Sequence, residues 1–146
     1  MPLFDTNSRT QKFALAVLRI FSGVVFAAHG YQKLFTFGIG GVQGTFTKMG
    51  APLPMITGPL IGCLEFLGGL ALVVGLLTRL VALGLVADML AAIMLVHLAN
   101  GFFAPKGVEF VMMLGAAALT LVIGGAGAYS IDDIIARKSR QARSTT

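Results

Sequence analysis

Ionisable side chains interrupt the long apolar runs of this sequence at a few positions. In the stretch FAAHGYQKLF, His29 and Lys33 stand four residues apart, so on a helix both side chains face the same neighbour. Glu65 lies in the middle of a second apolar run, and His97 and Glu109 lie near the ends of two later runs. Carboxyl and imidazole groups exchange protons, and lysine donates hydrogen bonds. This set of residue types therefore predicts a polar ligand site.

The composition indicates where these groups must be held. The chain has 146 residues, of which 56% are hydrophobic and 12% charged, and its mean hydropathy is +0.87. Such a chain is too apolar for an ordinary soluble domain. A helix needs about 20 mostly apolar residues to cross a bilayer. Four runs meet this requirement, at positions 13–34, 55–77, 80–99 and 108–123, and none alternates like a spanning strand. The fold class predicted is all-α, an integral membrane four-helix bundle.

The first loop is long and rich in glycine, FGIGGVQGTFTKMGAPLP. Within it, Val42, Phe46 and Met49 recur at helical spacing, which predicts a short interfacial helix on the membrane surface. Most of the basic residues fall on the side of the two termini: Arg9, Lys12, Arg79, Arg137, Lys138, Arg140 and Arg143. By the positive-inside rule both termini are cytoplasmic, and the glycine-rich loop lies outside. The predicted localisation is a bacterial cytoplasmic membrane that the chain crosses several times.

The end of the chain differs in composition from the rest. We predict a transmembrane domain over residues 1–136 and a basic, disordered cytoplasmic tail over residues 137–146. Before the tail, Ser130 and Asp133 have the spacing of a capping box that opens one or two amphipathic turns. Cations beside a membrane set topology and contact anionic lipid, so membrane lipid is the expected partner and nucleic acid is not.

The helix directions predict which polar groups meet. The outer half of the bundle holds six of them: His29, Lys33, Glu65, His97, Asn100 and Glu109. Bare charges are costly in hydrocarbon, so these groups should turn inward. We expect His29 and Lys33 to pair with Glu65, Glu109 or both, around a polar pocket open to the outside.

Further charged residues lie deeper along the predicted helices. Asp88 precedes His97 by nine residues, about half a turn away on a regular helix, so we assign the two to different sites. Asp88 is predicted to pair with Arg19 toward the cytoplasmic half. Arg79 is predicted to pair with Asp132, or with the aspartate next to it, at the inner surface.

Several longer motifs follow one another between Arg19 and Asp133. They are RIFSGVVFAAHGYQKLF, GAPLP, GCLEFLGGLALVVGLLTRLVAL, MLVHLANGFF and GGAGAYSIDD. In this order they resemble the DoxX family of small four-helix membrane proteins. The resemblance puts characteristic positions of that family on polar residues discussed above: Arg19, His29, Lys33, Glu65, Arg79, His97 and Asp132.

The resemblance implies a membrane subunit of a quinone-linked oxidoreductase system in redox, thiol or sulfur metabolism or in a stress response. Its implied catalytic residues are Glu65 and His29. The implied quinone- or substrate-binding residues are Lys33, His97, Asn100 and Glu109. Cys63 is the only cysteine and no dinucleotide motif is present, so electrons would come from a soluble redox subunit.

Other interpretations stay open at this stage. The chain also suits a protein that binds or transports a small solute, or an assembly scaffold without chemistry of its own. Transport would require a homo-oligomer, because the chain has no internal repeat. A haem held by His29 and His97 has weak support, and no spacing within one helix indicates a metal site. A purely structural alternative has His29 bonded to a carbonyl and Lys33 reaching the headgroups.

Overall fold

The computed structural model describes residues 8–143, and this part of the chain is helical without any strand. Two of its six helices continue into irregular turns. The helices are α1 (Ser8–Tyr31, continued by a π-helical turn, Gln32–Thr36), α2 (Gly38–Lys48), α3 (Pro54–Val74), α4 (Thr78–Ala92, continued by a π-helical turn, Ile93–His97, and a 3-10 turn, Leu98–Asn100), α5 (Glu109–Gly124) and α6 (Ile131–Arg143).

Three helical segments of the described chain are long and apolar enough to cross a membrane. They are Ser8–Thr36, Pro54–Val74 and Thr78–Asn100. The fourth apolar helix, α5, has 16 residues and is about 24 Å long. The all-α prediction is thus confirmed, and a short helix, α2, does occupy the glycine-rich loop. Four crossings, the side of the termini and the interfacial position of α2 stay predictions.

The tightest helix pair is α1 with α3, and glycines explain its closeness. A Cβ atom added at Gly30 would overlap the backbone of Phe66, and one added at Gly69 would overlap the backbone of Ala27. Small residues at such a contact let two helix backbones approach closely inside a membrane. The same face of α3 carries Glu65, which is 3% exposed. The glycine stripe therefore brings the carboxyl group of Glu65 against α1.

The apolar core lies between α1, α3, α4 and α5. Its buried members are Phe26, Leu72, Ala82, Leu85, Met89, Val111, Ala118 and Leu121. Large apolar side chains also cover the outside of these helices, as Phe21, Leu80 and Ile123 do. An apolar exterior around a packed core is what helices surrounded by lipid require.

Arg19 is fully buried, and within residues 8–143 every hydrogen bond that its side chain donates goes to a carbonyl group. Its Nη1 donates to the carbonyl oxygens of Leu72 at 2.5 Å and Val73 at 2.8 Å. Its Nε donates to Ala126 at 2.9 Å, and its Nη2 donates to Tyr129 at 3.0 Å. The predicted Arg19–Asp88 pair is therefore wrong. Carbonyl groups in the last turn of α3 can accept a hydrogen bond from outside the helix, and the guanidinium group binds these and carbonyl groups of the turn before α6.

Asp132 has a different role from the predicted pair with Arg79. Its two carboxylate oxygens accept hydrogen bonds from the backbone N–H groups of Leu77 and Thr78, each at 2.9 Å. These donors belong to the start of α4, where a negative charge is favourable. Arg79 instead lies against Gly125, where an added Cβ would be 3.3 Å from its Nε. The predicted contact is wrong because Asp132 already binds the helix terminus.

The last helix, α6, begins with the predicted cap. The N–H of Asp133 donates to Oγ of Ser130 at 3.1 Å, and the Asp133 carboxylate pairs with Arg137 at 2.7 Å. Acidic residues in its first turn and basic residues in its last turn complement the helix dipole. The helix runs to Arg143, where the sequence predicts a disordered tail from residue 137. Residues 144–146 of that tail lie outside the described part, and the domain boundary stays a prediction.

Candidate functional site

A buried ion pair joins α1 and α3. Nζ of Lys33, in the π-helical turn after α1, donates to Oε2 of Glu65. The side chain of Lys33 is 25% exposed and that of Glu65 only 4%. This contact confirms the predicted pairing of Lys33 with Glu65. A carboxylate in hydrocarbon needs such a partner, because an unpaired one is costly to keep.

A second carboxyl group stands beside this pair. Asp88 on α4 is 7% exposed, and its carboxyl group is within hydrogen-bonding reach of Glu65. Its Oδ2 atom is buried and has no hydrogen-bond partner in the described chain. Lys33 thus supplies one positive charge to two adjacent carboxyl groups. The sequence analysis paired Asp88 with Arg19 and did not assign it to this site. An acidic residue within an apolar run could have indicated a role in the site.

His97 joins the same site because α4 does not stay regular. Nine residues of α-helix separate two side chains by half a turn, but the π-helical turn Ile93–His97 holds an extra residue. The extra residue rotates His97 by about 100° toward Asp88, and both residues line one cavity. Their predicted assignment to different sites is therefore wrong. Nδ1 of His97 donates to the carbonyl oxygen of Lys106 at 2.7 Å, so a neutral ring has an unprotonated Nε2.

The cavity beside these groups has a polar wall and an apolar wall. Its volume is about 170 Å³. Lys33, Glu65, Asp88 and His97 form the polar wall. The apolar wall comes from α2 and the residues around it, from α3 and from the end of α4: Phe46, Met49, Ala51, Ile61, Leu95 and Val96. Helix α2 therefore covers one side of the site.

A second cavity of about 240 Å³ is also lined by the ion pair. It shares Lys33, Glu65 and His97 with the first cavity and adds His29 and Phe110. His29 makes no ion pair with either predicted carboxylate. Its Nδ1 donates to the carbonyl oxygen of Val25 at 2.9 Å, and its ring lies 5.7 Å from that of Phe110. The predicted pairing of His29 is wrong, because its own helix provides the acceptor.

Two predicted binding residues lie outside both of these cavities. Nδ2 of Asn100 donates to the carbonyl oxygen of Val96 at 2.7 Å. Oε1 of Glu109 accepts from the N–H of Ala104 at 2.6 Å, within the loop that leads to α5. Both side chains stabilise local backbone at the ends of their helices. Of the predicted site residues, Lys33, Glu65, His97 and His29 therefore lie together. Asp88, which was not predicted for this site, lies with them.

Cofactor chemistry at this site depends on which ligands the side chains can hold. Within residues 8–143, no three His, Cys, Asp or Glu side chains are grouped so that they could hold a metal ion. Cys63 is exposed and lines neither cavity. A donor cation, two adjacent carboxyl groups and a histidine beside apolar walls suit hydrogen bonding and proton exchange with a ligand.

The four polar residues of the first cavity lie in a part of the chain that resembles known proteins. The DoxX family model matches residues 14–98, a range that includes Lys33, Glu65, Asp88 and His97. The chain is 35% identical over 135 residues to the inner membrane protein YqjF of Escherichia coli, across 89% of this chain and 98% of that protein. It is 29% identical over 136 residues to the membrane protein Rv3486 of Mycobacterium tuberculosis, across 84% and 81% of the two chains.

A further relative comes from Bacillus subtilis and is named "Putative oxidoreductase CatD". It is 26% identical over 120 residues, across 82% of this chain and 84% of that protein. No solved structure matches the chain. The family match spans more than half of the sequence and agrees with the apolar helices described above. This membrane protein therefore belongs to the DoxX family.

Proposed function

We propose that this chain is the membrane subunit of a quinone-linked oxidoreductase system, with its ligand site at Lys33, Glu65 and Asp88. The observation that carries the proposal is the buried ion pair beside a second carboxyl group at a half-apolar cavity. Ionisable groups are costly inside a membrane, so such a cluster favours a functional role over a structural one. The name of the Bacillus subtilis relative supports the oxidoreductase class.

The proposed arrangement is a four-helix bundle in the bacterial cytoplasmic membrane, with α1, α3, α4 and α5 crossing it. Three of these are candidate spans, and α5 is apolar along its length. The basic residues near the termini support cytoplasmic ends and an outer location for α2. The ligand site then lies in the outer half of the bundle. Residues 1–136 form the transmembrane domain of this proposal.

The volume of the cavity supports a single quinone ring as the ligand. An engineered cavity of about 150 Å³ takes up one benzene molecule, and the cavity beside Asp88 has about 170 Å³. Reduction of a quinone to a quinol takes up two electrons and two protons, and this is the chemistry that the ligand would supply. Lys33 can donate to a carbonyl oxygen, while Phe46 and Leu95 offer apolar contact to the ring.

The protein's own part is to hold a proton next to that ring. Two buried carboxylates side by side repel each other, and Lys33 compensates only one of them. A proton shared by Glu65 and Asp88 therefore makes the cluster neutral. The carboxyl group of Asp88, whose Oδ2 has no hydrogen-bond partner in the described chain, is the group that releases this proton. A soluble partner protein provides the electrons, since the one cysteine lines neither cavity.

The first test is to purify the protein from its own membrane in mild detergent and to identify bound quinone by mass spectrometry. The double variant Lys33→Met with Glu65→Met removes both charges of the ion pair together, so that neither partner is left without the other. We expect it to stay folded, because buried ion pairs tolerate apolar replacement, and to retain at least tenfold less quinone. Asp133→Asn removes a carboxylate outside the site and should retain quinone as the unaltered protein does.

The outcomes separate the function classes. Quinone retained equally by the double variant overturns the proposed site. Stoichiometric retention of a polar solute in place of quinone assigns the chain to the solute-binding class. An assembled complex that holds no small molecule assigns it to the scaffold class. A soluble redox enzyme that copurifies with quinone identifies the source of the electrons.

A further inference from the structure

A different polar cavity lies at the opposite end of the bundle, where α1 and α6 begin. Its volume is about 620 Å³. Among residues 8–143, three cations line it, Arg9 and Lys12 from α1 and Arg137 from α6, against a single carboxylate, that of Asp133. That carboxylate already pairs with Arg137 at 2.7 Å. The described residues that line the cavity therefore carry a net positive charge.

The turn between α5 and α6 fixes the geometry of this basic pocket. The N–H of Ala128 donates to the carbonyl oxygen of Lys12 at 2.9 Å, which joins the turn to α1. Arg19 holds the carbonyl groups of Ala126 and Tyr129, and Ser130 caps the first turn of α6. These hydrogen bonds hold the start of α1 against the turn before α6, although the two are more than 100 residues apart in the sequence. The three cations converge because of this packing.

Apolar groups lie next to the cations. Tyr129 and Ile134 line the pocket, with Ile134 55% exposed. Ile131, Ile134 and Ile135 recur at spacings of three and four, so α6 presents an exposed apolar stripe beside its basic residues. A helix with this pattern lies at a membrane surface, apolar side toward the acyl chains. Inorganic phosphate or nucleic acid would leave the apolar part of the pocket without a partner.

We propose that this basic pocket binds the headgroup of an anionic phospholipid. The phosphate lies between Arg9, Lys12 and Arg137, and the glycerol and first acyl carbons contact Ile134 and Tyr129. Basic pockets between helices at the membrane surface are suited to such headgroups, because arginine and lysine both bind phosphate oxygens strongly. The pocket shares no residue with the site at Lys33 and Glu65, so the lipid proposal stands apart from the quinone proposal.

The test uses the full chain, freed of native lipid in a neutral detergent and examined by native mass spectrometry. Phosphatidylglycerol and phosphatidylcholine compete at equal concentration, and inorganic phosphate is then added in excess. We expect the protein to retain phosphatidylglycerol in preference to phosphatidylcholine, and inorganic phosphate not to displace it.

The double variant Arg9→Gln with Lys12→Gln should weaken the binding of phosphatidylglycerol about 25-fold, at about fivefold for each cation. The matched control, Lys138→Gln with Arg140→Gln, removes equal charge from outside the pocket and should bind like the unaltered chain.

Three results would overturn the lipid site. Displacement by inorganic phosphate would make free phosphate the ligand. Equal weakening in both double variants would mean that diffuse charge attracts the lipid. Unchanged binding in the first double variant would exclude the pocket.

A second pair of variants keeps the test decisive if the α1 variant does not fold. Ile134→Glu puts a carboxylate into the pocket, and Ile135→Glu puts one on the neighbouring residue, which is 54% exposed and does not line the pocket. We expect the first to lose phosphatidylglycerol at least fivefold more than the second. Equal losses would contradict the proposal.

Discussion

Lys33 and Glu65 form an ion pair across 32 positions of sequence, with a half-buried cation and a buried carboxylate. Substitution of Lys33 and substitution of Glu65 should therefore lower the free energy of unfolding by different amounts. Lys33→Met leaves a buried carboxylate unpaired and should cost about 3 kcal/mol, within the range for broken buried pairs. Glu65→Leu frees a lysine that reaches the surface, so it should cost about 1 kcal/mol. Thermal unfolding in detergent measures both variants, and equal losses would contradict the difference in burial between the two partners.

Asp88→Asn tests the proton that the carboxyl pair is proposed to share. The amide keeps the shape of a protonated carboxyl group and removes repulsion toward Glu65. We expect the free energy of unfolding to stay within about 1 kcal/mol of the original value. Quinol formation in the reconstituted complex should fall about 100-fold or more, as for loss of a general acid. Asp133→Asn is the control, and normal turnover in Asp88→Asn would rule out this role.

Gly30→Ala tests the close contact of α1 with α3. The added methyl group would overlap the backbone of Phe66, and backbone cannot move aside as a side chain can. We expect a loss of about 3 kcal/mol or more, at the upper end of overpacking effects. Gly44→Ala is the matched control in α2, where an added Cβ meets nothing within 4 Å. It should be neutral or slightly stabilising, and similar melting temperatures for the two variants would contradict the described packing.

Asp132→Ala and Asp133→Ala compare two adjacent acids with different partners. Asp132 accepts two backbone hydrogen bonds at the start of α4, whereas Asp133 pairs with exposed Arg137 one turn away. The first substitution should cost about 2 kcal/mol and the second no more than about 0.5 kcal/mol. Urea unfolding monitored by circular dichroism separates the two values. A larger loss from Asp133→Ala would reverse the assigned roles.

Sequence reasoning predicted what depends on local spacing and on the cost of charge in lipid. Lys33 and Glu65 were predicted to meet because each lies within an apolar run, where an ionisable group must find a partner. The helical character of the chain followed in the same way from its hydropathy. Both arguments need only the order of residues along regular helices.

The other features of the site could not be predicted, because they depend on irregular helical turns and on backbone groups that no residue type reveals. His97 reaches the side of Asp88 only through a π-helical turn, and no residue type marks the extra residue. Arg19 was paired with Asp88 because side-chain charges are visible in a sequence, whereas free backbone carbonyls at a helix end are not. The residues of the site were thus mostly predicted, but of their partners only Lys33 and Glu65 were.

The carbonyl cluster around Arg19 also constrains how the protein is made. Its acceptors are the carbonyl groups of residues 72, 73, 126, 128 and 129, all of which the ribosome synthesises after Arg19. The first helix therefore enters the membrane with a cation whose final ligands do not yet exist. Until the turn before α6 is synthesised, that charge must be shielded by water, lipid headgroups or the insertion machinery. Biogenesis of the bundle is complete only when the chain after α5 returns to its first helix.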